Sequence, residues 1–363
     1  MTPSSPSDGA PADDGGAGRP VVVLAFDKFR GTATSFDLGE AAAEAARNAG
    51  WDPRVVPLAD GGEGTLDVLG GPNKVTRVAG PLGEPVDAPW RLDGREAFIE
   101  MAAASGLQLA GGAEGNDPLE ASTVGTGQLI ATAVELGAKT IHVFLGGSAT
   151  TDGGLGAIRA LENKARMREI DLVVGCDVDT RFVDAARVFG PQKGATKAQV
   201  ELLTRRLERL VQLYREEFDV DVSEIAGGGA AGGLAGGLCA IGARLQSGFE
   251  ILAEKADLDL HLAEASMCVT GEGKLDRQSF DGKVVGGIFT WCRDLGVPAA
   301  AVVGMVAEGT EPPDELAVHS LVERYGTERA MGETIELVAD EVAQILVERG
   351  RDREVVDQEI VET

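Results

Sequence analysis

A glycine-flanked run of hydroxyl and acidic residues, GGSATTDGG at residues 146–154, is the segment best suited to chemistry. Glycine lets a backbone approach a phosphate closely, and hydroxyl and N–H groups donate to phosphate oxygens. A carboxylate such as Asp152 can hold Mg²⁺ in such a loop. The same pattern fits a tight turn with helix-capping Thr and Asp side chains. It matches neither the Walker A loop nor the dinucleotide fingerprint G-x-G-x-x-G.

Two loops nearer the start of the chain also carry charged side chains. ADGGEG at 59–64 places Asp60 and Glu63 around a glycine pair, which suits metal or hydroxyl binding. A strand-to-helix turn with an Asp N-cap explains it equally well. DKFRGT at 27–32 offers Lys28 and Arg30 to a carboxylate or phosphate, although a solvated loop is an equal alternative.

Three segments in the second half of the chain complete the candidates. VFGPQKGA at 188–195 presents Lys193, although a single loop lysine is usually a surface charge. TGEGKLDRQSFDGK at 270–283 is unusually dense in charge for a structural turn and contains Glu272 and Lys274. GGGAAGGLAGG at 227–237 is interpreted as a close helix contact rather than a nucleotide-facing helix start.

The composition of the 363-residue chain narrows its possible partners. The net charge is −26 at pH 7, so nucleic acid and anionic membrane are unfavourable partners. Aromatic residues make up 4% of the chain, which argues against a base-stacking surface. A small anionic substrate can still bind through local positive groups and backbone N–H clusters. The oligomeric state is left open between monomer and homodimer.

The cysteines and the start of the chain indicate a location. The spacing of Cys176, Cys239, Cys268 and Cys292 fits no zinc signature, which favours reduced thiols. Residues 1–19 lack the basic and apolar regions of a signal peptide. No apolar run approaches the ~20 residues that span a bilayer. We therefore expect a cytoplasmic protein.

Strand and helix patterns alternate along the chain, which predicts an α/β fold with mostly parallel sheets. Apolar runs predict strands at 20–27, 54–57, 97–101, 140–146, 171–176, 266–271 and 298–304. Helical spacing predicts helices ending at Gly50 and at 126–136, 197–216, 284–295 and 327–349. The candidate motifs follow strands, as expected for ligand-binding loops at the carboxyl ends of a parallel sheet.

In chain order these segments resemble the bacterial glycerate kinase family. The similarity is carried by VVVLAFDKFRGTATS, ADGGEGT, IEMAAASGL, DPLEASTVGTGQLI, GGSATTDGG, CDV, VFGPQKGAT, AAGGLAGGL and TGEGKLDRQS. Each motif is weak by itself, whereas this many in one order are specific. They span most of the chain.

The resemblance implies a kinase that uses ATP and Mg²⁺ to phosphorylate a hydroxyl of D-glycerate, with 2-phosphoglycerate favoured as the product. It implies a Rossmann-like parallel-sheet domain built from both chain ends, residues 20–77 and 265–350, with a mixed α/β domain, residues 78–264, inserted between them. A disordered tail at 1–19 and a charged tail at 351–363 flank these domains. ATP and glycerate would meet in the cleft between the two domains.

The same motifs imply roles for particular residues. A catalytic role is expected for Asp60, Asp152 and Lys193, and either Asp60 or Asp152 would receive the hydroxyl proton or bind Mg²⁺. Substrate binding is expected from Lys28, Arg30, Ser105 and Asp177. Nucleotide or phosphate binding is expected from Gly146, Gly147, Ser148, Thr150, Glu272 and Lys274. The metal would be held by Asp152 and Glu272.

The chain departs from the family pattern in three places, of which the shortened stretch 161–176 motivates an alternative hypothesis. Arg30 stands where the family usually has lysine, the stretch 161–176 is shorter, and TRFVDAAR at 180–187 replaces an Asn-Pro-Leu segment. The alternative is a catalytically impaired nucleotide-binding paralogue with a regulatory or binding role. An NAD-dependent oxidoreductase is a third hypothesis, which rests only on the α/β pattern and lacks G-x-G-x-x-G after the first strand.

Overall fold

Two β-sheets organise the computed structural model, which describes residues 19–161 and 167–361, with side chains as far as residue 351. The first sheet has five parallel strands in the order β11-β10-β9-β1-β2. Its strands are β1 (Val21–Phe26), β2 (Asp52–Val55), β9 (Met267–Leu275), β10 (Ala299–Val306) and β11 (Ala317–Ser320). Both ends of the chain therefore contribute to this sheet.

The second sheet has six strands in the order β3-β4-β5-β6-β7-β8. Its strands are β3 (Lys74–Ala79), β4 (Pro85–Asp93), β5 (Glu96–Glu100), β6 (Thr140–Phe144), β7 (Asp171–Gly175) and β8 (Arg244–Gln246). Strands β3 to β5 pair antiparallel, and β5 to β8 pair parallel, so the sheet is mixed. This confirms a two-sheet α/β architecture with one parallel and one mixed sheet.

Helices cover the sheets and connect their strands. In chain order they are α1 (Ser35–Asn48), α2 (Thr65–Val68), α3 (Ala102–Ser105), α4 (Gly112–Gly115), α5 (Val124–Glu135), α6 (Leu155–Ala160), α7 (Ala185–Phe189), α8 (Lys197–Phe218), α9 (Ala230–Ala240), α10 (Gly248–Lys255), α11 (Leu258–Ala263), α12 (Val284–Leu295), α13 (Leu321–Tyr325), α14 (Thr327–Gly332) and α15 (Thr334–Val361). Among the described residues, no helix combines the length and the apolar character needed to cross a bilayer.

Local sequence explains where the longer helices begin. Thr34 caps α1 because its hydroxyl accepts from the Asp37 N–H while the Asp37 carboxylate accepts from the Thr34 N–H. Thr196 and Gln199 form the same reciprocal box at the start of α8. These caps fix the two helices that follow the candidate loops 27–32 and 188–195.

A buried apolar cluster joins the two sheets. Val23 and Ala25 of β1 lie in it with Phe98 and Phe144 of the second sheet and Phe249 of α10. The sheets are thus held through a shared core rather than through the connecting chain alone, which fixes the loops at their carboxyl ends relative to one another.

Most predicted elements are confirmed, and the differences have local causes. The predicted helix 327–349 is wrong as a single helix, because α14 ends at Gly332 and α15 starts at Thr334. The predicted strands near 54, 97, 140, 171, 266 and 298 match β2, β5, β6, β7, β9 and β10. The sequence analysis missed β3, β4, β8 and β11, of which β8 and β11 are short.

The two predicted tails and the domain limits stay predictions. The tail 1–19 lies outside the described residues except for Arg19, and α15 continues through the predicted charged tail to Val361. β3 belongs to the second sheet, so the predicted boundary at 77–78 falls within it. Part of the stretch 161–176 also lies outside the described residues.

Candidate active site

Loops from the two sheets meet where their strands end. The 59–64 loop follows β2 of the first sheet, and the 146–154 loop follows β6 of the second. A methyl group on Gly146 would lie 2.6 Å from the Gly62 Cα, so only glycine allows the two backbones to approach this closely. Gly61 is also close to the start of α10, since a Cβ added to it would lie 3.0 Å from the Gly248 Cα.

A cleft of about 510 Å³ opens above this contact. It collects side chains and backbone from several segments that are far apart in sequence. Seven of the residues predicted for the site line it: Arg30, Asp60, Gly146, Gly147, Ser148, Asp177 and Lys193. Residues separated by more than a hundred positions therefore face one pocket.

Asp60 and Asp177 supply the acidic wall of the cleft. The Gly62 N–H donates to Asp60 Oδ1 at 3.0 Å, and the Gly248 N–H donates to Asp177 Oδ1 at 2.9 Å. Burial and, less strongly, the Asp60 charge raise the pKa of Asp177 to about 7, against the lowering effects of hydrogen bonds from Ser247 and Gly248 and of the Lys283 charge. The pair carries negative charge that a bound cation would stabilise.

Two more buried carboxyl groups lie next to this wall. Burial and the Asp60 charge raise the pKa of Asp27 to about 7. Burial and the Asp27 charge raise the pKa of Glu272 to about 7, while Ser279 and Lys283 lower it. Glu272 Oε1 is buried and has no hydrogen-bond partner among the described residues. Such an oxygen is costly unless a cation or donor binds it.

Lys193 approaches the cleft from the opposite side. It is 2% exposed, and its Nζ donates to the Thr150 carbonyl at 2.7 Å. Burial lowers the pKa of this ammonium to about 7, and the Asp152 charge opposes that shift. Asn116 fixes the segment, because its Nδ2 donates to the carbonyls of Ala149 (3.1 Å) and Lys193 (2.9 Å).

Arg30 joins this cleft to a neighbouring one. It lines both the 510 Å³ cleft and an adjacent cleft of about 700 Å³ formed by residues 27–37, 58–59, 63–64 and 67–68. Lys28 lines the second cleft, where its Nζ donates to the Glu63 carbonyl and lies 3.9 Å from Glu63 Oε2. Lys28 therefore holds the 59–64 loop in place, whereas Arg30 is exposed at the junction.

Asp152 does not line the cleft. Its Oδ2 accepts from the Ser122 hydroxyl (3.3 Å), the Thr123 N–H and hydroxyl (both 2.9 Å) and the Gly156 N–H (3.2 Å), and its Oδ1 accepts from the Gly154 N–H (3.1 Å). Five donors occupy the carboxylate at the start of α6. This arrangement explains Asp152 as a loop anchor, and its predicted catalytic and metal-binding roles stay predictions.

Four other predicted residues, namely Ser105, Thr150, Lys274 and the Glu272 described above, also line neither the 510 Å³ cleft nor the 700 Å³ cleft. Ser105 is fully buried, and its hydroxyl is 2.8 Å from the Thr126 hydroxyl. Thr150 is fully buried and offers its carbonyl to Lys193. Lys274 is exposed near the end of β9 and lines neither cleft. Their predicted substrate or phosphate contacts stay predictions.

The sequence analysis did not assign several residues that line the two clefts. Lys283, Gln278 and Gln192 line the 510 Å³ cleft, and Asp27 lines the 700 Å³ cleft. A signal for Lys283 was present, because it ends the dense charged segment 270–283 directly before α12. Nothing in the sequence pattern marks Gln192 beyond its place next to Lys193.

The glycine-rich segment 227–237 packs as predicted. A methyl group on Gly232 would lie 2.0 Å from the Thr150 carbonyl oxygen, and one on Gly237 would lie 2.3 Å from the Gly153 carbonyl oxygen. Helix α9 therefore supports the 146–154 loop from behind. Ala230 and Ala231 at its start also line the cleft.

The acidic wall suits Mg²⁺ bound together with phosphates. The described residues hold no group of three or more His, Cys, Asp or Glu side chains placed to bind a metal by themselves. Mg²⁺ usually takes one or two carboxylates and completes its shell with water and substrate phosphate oxygens. Glu272, with an unpartnered buried oxygen, and Asp27 fit that requirement.

Comparisons with known proteins agree with this geometry. The family model described as the glycerate kinase family matches residues 22–165 and 162–348. Glycerate 2-kinase of Escherichia coli (strain K12) is 36% identical over 327 residues, which cover 79% of this chain and 86% of that protein. Glycerate kinase of Halalkalibacterium halodurans is 36% identical over 333 residues, which cover 80% and 87%.

A solved structure extends the similarity to the whole fold. The crystal structure of a protein described as glycerate kinase 2 from Salmonella typhimurium LT2 superimposes with a TM-score of 0.75 at 32% sequence identity. The match covers 92% of this chain and 99% of that one. The chain spans most of its relatives' length and shares their architecture, and it belongs to the glycerate kinase family.

Proposed function

We propose that this protein is an ATP-dependent kinase that transfers a phosphoryl group to a hydroxyl of D-glycerate. The observation that carries the proposal is the single cleft in which Asp60, Lys193 and the 146–148 loop face one another. Phosphoryl transfer requires positioning and charge neutralisation more than covalent help from the protein. The cleft supplies positioning through its glycine-rich 146–148 loop and the half-buried Asp60 carboxylate. It supplies charge neutralisation through Lys193.

Asp60 is the proposed acceptor of the hydroxyl proton. Its Oδ2 makes no hydrogen bond within the described residues, and its Oδ1 is oriented by the Gly62 N–H. Unlike Asp152, it lines the cleft and keeps accepting capacity for a ligand hydroxyl. The geometry thus favours Asp60 over Asp152 for this role.

Lys193, Lys283 and the backbone N–H groups of Gly146 and Gly147 are proposed to bind the phosphates. Both lysines line the cleft, and the glycine pair lets the backbone approach closely. Contact with a phosphate would raise the pKa of Lys193, because a negative charge next to a buried amine favours the protonated form of that amine.

Arg30 is proposed to bind the glycerate carboxylate. A planar guanidinium presents two parallel donors that match a carboxylate, and Arg30 lies exposed at the junction of the two clefts. A nucleotide in one cleft and an acid at the junction would bring the γ-phosphate and the hydroxyl together. Attack through O2 of glycerate is the favoured regiochemistry, and a cytoplasmic location is proposed for the enzyme.

Mg²⁺ is proposed to be held by Glu272 and Asp27 with the nucleotide phosphates. The ion would neutralise charge on the transferred group. The protein's own contribution is this pair of carboxyl groups next to the acidic wall, which are driven toward the protonated state when no cation is bound.

The test is ADP release coupled to D-glycerate, ATP and Mg²⁺, with phosphorus NMR of the product. Turnover that requires D-glycerate and disappears in Asp60→Asn is expected, with a phosphorus resonance on O2. Nucleotide binding by calorimetry without glycerate-dependent turnover would instead favour the catalytically impaired paralogue.

A further inference from the structure

A second cavity lies behind the 146–154 loop, between that loop and helix α8. Its volume is about 460 Å³, which is in the range of small-molecule sites. Its walls are largely leucine side chains: Leu119, Leu155, Leu210 and Leu213. It shares no lining residue with the 510 Å³ cleft or the 700 Å³ cleft, so it is a separate site.

The floor of this cavity contains a polar group that lacks a partner. Thr151 lines the cavity and is 2% exposed, and its hydroxyl has no hydrogen-bond partner in the part of the chain that the structure describes. Buried hydroxyls in native proteins nearly always have one. The neighbouring Asp152 needs none, because five donors already bind its carboxylate.

Two arginines give the rim of the cavity a positive character. Arg206 and Arg209 both line it, and Arg206 Nη1 donates to the Leu119 carbonyl at 2.8 Å. Within the described residues neither makes an ion pair with a carboxylate, which is unusual on a protein of net charge −26. Two acidic side chains, Asp152 and Glu216, also line the cavity, so its formal charges cancel. Asp152 is already bound by five donors, which leaves the two arginines able to pair with an added anion.

We propose that this cavity binds a small organic anion with an apolar body, of the kind represented by a medium-chain carboxylate. The carboxylate pairs with Arg206 and Arg209, where charge-assisted hydrogen bonds to guanidinium are strong. The apolar body fills the leucine-lined interior. Neither part alone accounts for the cavity, because a bare ion leaves the leucine walls empty and a neutral chain leaves the arginines unpaired.

The cavity is connected to the cleft by two hydrogen bonds. The Tyr214 hydroxyl of α8 donates to the Gly153 carbonyl at 2.9 Å, so α8 and the 146–154 loop move together. On the other side of Thr151, the Thr150 carbonyl accepts from Lys193 Nζ. A ligand bound between α8 and the loop therefore lies one residue from the partner of a cleft lysine.

The direct test is calorimetric titration of the full chain with octanoate, octanamide and acetate. Saturable octanoate binding is expected, with octanamide and acetate each at least about tenfold weaker, because one lacks the charge and the other the apolar body. Arg206→Ala/Arg209→Ala should weaken octanoate binding about tenfold or more. Arg205→Ala is the matched control, since Arg205 lies next to Arg206 and pairs with Glu201 at 3.9 Å.

A second variant guards against a folding defect. Leu213→Trp narrows the cavity without changing charge, and it should weaken octanoate binding while the thermal midpoint stays within a few degrees of wild type. The proposal is overturned if octanoate does not bind, or if the double arginine variant binds it as well as Arg205→Ala does. Equal binding of octanamide would also overturn it. Because calorimetry detects binding without turnover, absence of kinase activity would leave this result unaffected.

Discussion

The ammonium of Lys193 donates to the carbonyl of Thr150 at 2.7 Å, which joins two loops 43 residues apart. The amine is buried, and burial lowers its pKa to about 7. This one contact uses one of three N–H donors of a protonated lysine. The remaining donors are available to an anion in the cleft, which Lys193 also lines.

Lys193→Met should therefore lower kcat by about 10²–10³-fold, as expected for loss of a donor to developing charge. Its apolar chain keeps the packing, so the fold should remain. Lys74→Met, at an exposed position on β3, is the matched control and should leave kcat unchanged. Equal turnover in both variants, measured by coupled ADP release, would remove Lys193 from the mechanism.

Asp60→Asn should lower turnover, whereas Asp152→Asn should lower stability. Asp60→Asn should lower kcat by about 10²–10⁴-fold with an unchanged thermal midpoint, because its carboxylate faces the cleft. Asp152→Asn should lower the free energy of unfolding by about 1–3 kcal/mol, because an amide cannot accept from all five donors. Chemical unfolding and steady-state kinetics measure the two effects. A stable, inactive Asp152→Asn would reverse the assignment.

Gly146→Ala should disrupt the contact between the two loops. Its new methyl group would lie 2.6 Å from the Gly62 Cα, so one backbone must move. We expect a loss of about 1–3 kcal/mol in unfolding free energy and a raised KM for ATP. Gly332→Ala, which has nothing within 4 Å of the added methyl, is the control and should change neither. Wild-type KM in Gly146→Ala would show that the loop contact is dispensable.

Lys283, rather than Lys274, should be the lysine of segment 270–283 that binds the nucleotide. Lys283 lines the cleft and its charge lowers the pKa of Glu272 and Asp177, whereas Lys274 lines neither cleft. Lys283→Gln should raise the KM for ATP about tenfold or more. Lys274→Gln is the comparison variant and should leave the KM for ATP nearly unchanged. A larger rise of this KM in Lys274→Gln than in Lys283→Gln would contradict the assignment.

Binding of MgATP near pH 7 should release protons. Asp27, Asp177 and Glu272 have pKa values raised to about 7, so each is partly protonated there, and a bound cation favours their ionised forms. Lys193 acts oppositely, since its pKa is lowered to about 7 and a phosphate favours protonation. Because three carboxyl groups would release protons and one amine would take one up, we expect a net release of protons.

Calorimetry in two buffers of different ionisation enthalpy measures this proton count. Lys193→Met should increase the release, because the one group that takes up a proton is gone. Net uptake by the wild-type protein would show that no cation reaches the acidic wall.

The sequence anticipated which residues line the cleft where that placement follows from a residue's own loop, while their catalytic and binding roles stay predictions. Asp60, the glycine pair Gly146 and Gly147, and Lys193 each follow from residue type and from a place after a strand or beside a glycine. The sequence did not predict the direction in which a side chain points. Asp152 lies within six residues of Gly147, yet its carboxylate points to the start of α6 instead of the cleft.

The sequence by itself determined the alternation of strands and helices, the family and the set of candidate loops, because periodicity and glycine placement are local properties. Tertiary structure alone decided which of these loops share a cleft. The shared core of Phe98, Phe144 and Phe249 sets the relative position of the two sheets, and with it the contact of Gly62 with Gly146. Burial likewise decided the pKa of Lys193, since desolvation depends on neighbours that local sequence does not specify.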